Sequence, residues 1–178
     1  SAAEELGVTP GAVSQSVKAL EEFVKAGGRL VTFGQAGDLP IEKFKLPVRN
    51  IVATVPTKQF WSPGSTLRIN VNNQTPLGYG MPENALAIYT LECQVYEPVA
   101  SMHNERVDVI ASYADKDVLQ SGWLLGEPVI ASKAAMVSVA HGKGKVVLIG
   151  FRPQHRDQAH GTYKLVFDAL YDAPASPL

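Results

Sequence analysis

The chain has one cysteine in 178 residues, Cys93. That excludes an intrachain disulfide and a cysteine-rich metal site. It has four histidines, spread over positions 103, 141, 155 and 160. None has a glutamate three residues on, and His-Glu-x-x-His is missing, so the ligand spacing of zinc hydrolases is not written here. No cofactor or metal set is expected. Charge of one sign is also lacking: the formal net charge is −1. This ranks attraction to nucleic acid or an anionic membrane low. No apolar run approaches the ~18 residues of a membrane span, and Ser1 opens no charged-then-apolar leader. Internal repeats and low-complexity tracts are missing as well.

What is present suffices for a core. Hydrophobic residues make up 46% and charged residues 19%, too apolar a balance for a disordered chain. Val13, Val17, Leu20 and Val24 recur at i, i+4, i+7 and i+11, the stripe of an amphipathic helix, and the stripe is expected to face a core. Thr9 and Pro10 suit its start, and Gly27-Gly28 its end. A β-rich run follows at 29–33. Helix, double glycine, strand and glycine give the rhythm of an α/β layer.

The middle is proline-rich, with strand-like runs at 66–71, 87–91, 107–113 and 119–125. Residues 135–140 and 145–151 flank a Gly-x-Gly turn and predict a hairpin. A last helix is expected over 162–171, followed by a short tail. The organisation expected is a helical segment over 1–18, an α/β domain over 19–172, and a tail over 173–178.

Residues 20–31 (LEEFVKAGGRLV), 46–50 (LPVRN), 63–68 (PGSTLR), 76–82 (PLGYGMP), 119–123 (LQSGW) and 142–156 (GKGKVVLIGFRPQHR) together resemble the C-terminal glutamine-amidotransferase-like domain of bacterial zinc carboxypeptidases of the carboxypeptidase A type. The resemblance spans about 19–171. It implies a flavodoxin-like α/β layered domain downstream of a peptidase domain, in a secreted or periplasmic protein. Only the later part of that domain is matched, so the sheet is expected to be incomplete and the chain to self-associate, most simply as a dimer. Residues 2–21 (AAEELGVTPGAVSQSVKALE) also resemble the helix-turn-helix of LysR-type regulators. That resemblance would put Ser14, Gln15, Ser16 and Lys18 near DNA.

A working amidotransferase needs a cysteine on a tight turn after a strand, activated by a His-carboxylate pair. The corresponding turn is Phe33-Gly34-Gln35-Ala36-Gly37, where Gln35 supplies no nucleophile. Cys93, in an alternating run, is read as a small core residue. The chain is therefore expected to be a non-catalytic accessory domain, its parent protein a zinc carboxypeptidase. The alternatives are a LysR-type DNA-binding fragment or a small anionic-ligand module. For the latter, Arg152, Gln154, His155, Arg156 and His160 lie between a strand and a helix, where an anion is favoured. Capping and ion pairing explain the same residues without a ligand. Trp61, Trp123 and Tyr79 are read as anchors of long loops to the core, with a carbohydrate or peptide groove as the other option.

Overall fold

A computed structural model describes residues 10–101 and 105–172. Much of the proposed helical segment over 1–18 and the tail over 173–178 lie outside these residues. The described part opens with helix α1 (Pro10–Lys25) and strand β1 (Arg29–Phe33). Helix α2 (Asp38–Lys43) and strand β2 (Val48–Asn50) follow. The central run is β3 (Gly64–Val71), β4 (Asn84–Thr90), β5 (Tyr96–Pro98), β6 (Val107–Tyr113) and β7 (Leu119–Ser121). Last come α3 (Glu127–Ile130), β8 (Ala134–His141), β9 (Gly144–Ile149) and α4 (Tyr163–Tyr171).

One sheet has the order β1-β9-β8-β6-β3-β4, with β5 on β8, β2 on β5, and β7 on β3. Among the described strands β1 and β9 run parallel, and the other pairings are antiparallel. The expected hairpin is β8–β9, closed by Gly142 and Lys143, with Gly142 at φ 63°. The sheet curls until the chain leaving β9 meets β4, where the Arg152 N–H donates to the Ile88 carbonyl at 2.9 Å.

Alternation along the strands sorts side chains into two cores. Leu30, Val137, Val139, Val146 and Leu148 pack under Val24, Phe44 and Leu46 on one face. Val31, Val147, Ile149, Phe151, Leu165 and Ala169 meet on the other, beneath α4. Helices therefore cover both faces of the sheet, as an α/β layer requires.

The α1 stripe is only partly used. Val24 is fully buried and Val17 and Leu20 are half-buried, but Val13 is exposed, against the expectation that the whole stripe faces the core. The helix leans on the sheet through its last turns alone. There Gly144 lets the Val24 and Gly28 carbonyls approach closer than any side chain would allow. His141, at the end of β8, fixes this contact. Its Nδ1 meets Glu105 Oε1 at 2.8 Å, its Nε2 meets Glu21 Oε1 at 3.1 Å, and its ring stacks on Phe44 at 5.6 Å. At the far end of the described chain, Asp172 pairs with Arg29 at 3.4 Å and Lys145 at 3.0 Å, tying α4 to β1 and β9.

Candidate functional site

The pairings place the carboxyl ends of β1, β9 and β4 on one side of the sheet. In α/β sheets that side is where ligands bind. After β1 the chain turns sharply through a 3₁₀ turn (Gly34–Gly37) into α2. Gly34 takes φ 50°, and a Cβ there would lie 2.7 Å from the Glu92 carbonyl oxygen. The turn after β1 is thereby pressed against the turn after β4. Between them lie a 360 Å³ cavity reached by Gln35, Asp38, Asn50, Trp61 and Gln94, and a smaller one of 160 Å³ reached by Phe33, Gln35 and Arg152. Glu92 and Cys93 border both.

Cys93 has the position of a reactive group without its chemistry. Its sulfur accepts from the Thr90 N–H at 3.2 Å and sits 3.5 Å from Thr90 Oγ1. It is buried, and burial pushes the thiol pKa up, against a weaker downward pull from the Thr90 hydrogen bonds and the Arg152 charge. No imidazole is among its hydrogen-bond partners in the described residues. A thiol held protonated, without a base, is a poor nucleophile.

The wall of the larger cavity is wired by Gln94, which donates from Nε2 to Asp38 Oδ1 at 2.7 Å. Behind that wall, three buried oxygens converge where Gly37 has no side chain. A Cβ at Gly37 would sit 2.7 Å from the Tyr96 hydroxyl, 2.9 Å from Gln94 Oε1 and 3.6 Å from Thr32 Oγ1. None of the three has a hydrogen-bond partner among the described residues. Burial, with the Asp38 charge nearby, pushes the Tyr96 pKa far up, so its hydroxyl keeps its proton.

The five residues singled out for an anion do not converge. Arg152 lines the smaller cavity but pairs with Glu92, and its Nε donates to Thr90 Oγ1 at 3.2 Å. His155 borders a separate 260 Å³ depression beside β3 and β7. Gln154 and Arg156 are exposed, with no side-chain hydrogen bond among the described residues. His160 is exposed and pairs with Asp157 at 2.8 Å. Thr162 Oγ1 donates to the Pro153 and Ala159 carbonyls at 2.8 Å, and this hydroxyl ties the two ends of the loop together. Ser14, Gln15, Ser16 and Lys18 all lie exposed on α1, and Ser16 Oγ bonds back to the Ala12 carbonyl at 3.0 Å.

Two anchor assignments are corrected. Tyr79 is 73% exposed and Trp123 62%, so neither ties a loop to the core. Trp61 and Trp123 instead form an edge-to-face pair, centroids 6.4 Å apart, and Trp61 of the two borders the larger cavity. Their proximity could not be read from the sequence, because residues 61 and 123 are brought together by tertiary contacts such as the Trp61–Leu125 backbone bridge. Among the described residues no cluster of His, Cys, Asp and Glu is placed to hold a metal ion, and no helix is long and apolar enough to cross a membrane.

No family model matches the chain, and no curated protein does. Solved structures do. A β-galactosidase from Bacillus circulans sp. alkalophilus aligns with a TM-score of 0.55 at 15% identity, over 91% of this chain and 21% of that one. A ThuA-like protein from Parabacteroides merdae gives 0.55 at 13% identity, over 89% and 65%. A GMP synthase component from Thermoplasma acidophilum gives 0.52 at 9% identity, over 90% and 65%. The chain thus spans about a fifth of the β-galactosidase and just under two thirds of the other two. At these identities the likeness concerns the fold alone: a flavodoxin-like, glutamine-amidotransferase-like α/β layer.

Proposed function

We propose that this chain is a non-catalytic accessory domain, of the kind its sequence resembles beside a zinc carboxypeptidase. The observation that carries the reading is Cys93: buried, its thiol pKa raised, and with no imidazole partner among the described residues, in an amidotransferase-like fold whose elbow position is Gln35. That the same fold makes up about a fifth of a β-galactosidase chain fits a module within a larger hydrolase. The test is an assay of the purified chain with glutamine and with a peptide bearing a free C-terminus. Neither is expected to be turned over. Cys93 should react with a thiol reagent at least about ten times more slowly in buffer than in denaturant. Turnover abolished by Cys93→Ser would overturn the reading.

Self-association belongs to the same proposal. Among the described strands β1 pairs only with β9, so its outer edge presents ladder groups to another chain. Sedimentation at micromolar concentration should give twice the chain mass. A monomer would remove this part of the reading and leave the accessory role standing.

A further inference from the structure

We infer that the 360 Å³ cavity at the carboxyl end of β1 binds a neutral polyhydroxylated ligand, a saccharide unit. Trp61 supplies an apolar wall, backed edge-on by Trp123, and Asp38 and Asn50 are its hydrogen-bonding partners. The inference rests on the accessory reading, because it gives the cavity a binding role and no reaction.

Four observations lead there. The first is size: small-ligand sites run from roughly 300 to 1,000 Å³, and this cavity falls at the lower end. The second is charge. The ionisable side chains at its border are Asp38 and Glu92, besides the buried Tyr89 and Cys93, and Glu92 is neutralised by Arg152. Among the described residues no cation lines it, which disfavours an anion. Asp38 already accepts the Gln94 amide proton, which weakens its case as a counter-charge for a cation.

The third is the chemistry of the polar groups. Asn50 spends its carbonyl oxygen on the Val52 and Val95 N–H groups, at 3.2 and 3.4 Å. Its NH₂ is left to donate, while the outer oxygen of Asp38 is left to accept. One planar donor and one planar acceptor suit a hydroxyl, which does both.

The fourth is the tryptophan pair. Large aromatics at 37% and 62% exposure are not serving the core. Yet their backbone is held rigidly. Ser65 Oγ donates to the Trp123 carbonyl at 2.6 Å and accepts from the Trp123 N–H at 3.0 Å. Trp61 and Leu125 exchange hydrogen bonds at 3.1 and 2.9 Å. Exposed rings on a fixed backbone form a prepared surface that loses little freedom when it is covered. The apolar face of a sugar ring beside a hydrogen-bonding edge matches a tryptophan wall next to Asp38 and Asn50.

The chain has two tryptophans, one bordering the cavity and the other in ring contact with the first, so its intrinsic emission reports on the site. The experiment titrates the chain with glucose, galactose, xylose, cellobiose and lactose and follows that emission. At least one sugar should give a saturable change, with a Kd on the order of 0.1–10 mM. Trp61→Ala should weaken it about tenfold or more with unchanged melting temperature, and so should Asn50→Asp, which keeps the oxygen that accepts from Val52 and Val95 and removes the donor. Trp123→Phe keeps a ring and should retain most of the affinity, and Leu86→Ala, on an exposed strand position, should leave it unaltered. If no sugar saturates the signal up to about 50 mM, the inference falls and the accessory reading stands. If lysine methyl ester saturates it and no sugar does, the ligand is a cation and the inference falls. If a sugar binds and is chemically converted, the accessory reading falls instead.

Discussion

Gly150→Ala is expected to cost roughly 3–5 kcal/mol, enough to unfold much of a domain whose total stability lies around 5–15 kcal/mol. Backbone freedom is not the reason, since Gly150 does not adopt a positive φ. The reason is space. An added Cβ would lie deep inside the van der Waals radius of the Gln94 carbonyl oxygen and 3.0 Å from the Ala135 carbonyl oxygen. Both are backbone atoms, so neither can swing aside as a side-chain tip would. Residue 150 is also bonded to both neighbours. The Gln94 N–H donates to the Gly150 carbonyl at 2.6 Å, and the Gly150 N–H donates to Ala135 at 2.8 Å. Relieving the clash therefore loosens two hydrogen bonds and lifts the Cys93–Gln94 segment off the end of β9. That segment is the wall of the larger cavity, so any folded variant should also lose the saccharide response. Urea unfolding measures the effect. Gly161→Ala is the control, because a Cβ there meets nothing within 4 Å. Equal midpoints for the two variants would show that the contact has no such weight.

The fold was legible in the sequence wherever periodicity and punctuation agreed. The strand at 29–33 is β1, the hairpin is β8–β9, and the helix ending before Gly27-Gly28 is α1. Layer order and the mostly antiparallel sheet were not legible, because alternation tells which residues face a core and not which strand lies beside which. The site was less legible still. Its walls come from residues 35–38, 50–62 and 89–94, which the fold alone brings together. The Arg152 loop is the opposite case. Five polar residues within nine positions were open to two readings, an anion site or capping and ion pairing, and the loop's shape was hidden: Arg156, Asp157 and Ala159 adopt φ of 49°, 58° and 55°. Such left-handed non-glycine positions turn the chain within a few residues and send neighbouring side chains apart, and nothing in the residue types announces them. The helical stripe failed for a simpler reason: period 3.6 predicts a face, but α1 meets the sheet only near its carboxyl end.

His141→Leu is expected to cost about 3 kcal/mol, and more of that loss should appear near neutral pH than in acid. His141 is 6% exposed at its side chain and Glu105 10%, so the pair is out of solvent, and leucine would leave the Glu105 carboxylate buried without its partner. Glu21 is linked to the same ring and, first of all, to Lys25 at 2.6 Å. These contacts hold its pKa below the ordinary value of 4.5, against an upward push from burial. A carboxylate with a depressed folded pKa contributes stability that is fully present above its unfolded value and is lost as pH falls through the folded one. The wild-type chain should therefore hold the Glu21 contribution to its urea midpoint above about pH 4.5 and lose that contribution below, in the window where Glu97, held low by Lys133 and Arg49, also titrates. His141→Leu should start lower and show a shallower acid loss, since one of the charges that depresses Glu21 is gone. A second substitution separates the clamp from simple packing loss, because the ring also stacks on Phe44. If the penalty is the stranded charge, adding Glu105→Gln to His141→Leu should restore more than about 1 kcal/mol, as coupled neighbours do in a double-mutant cycle. Additive losses in the double variant would assign the effect to the Phe44 stack. In that case α1 is held to the sheet by packing, and its attachment would not follow the titration of Glu21.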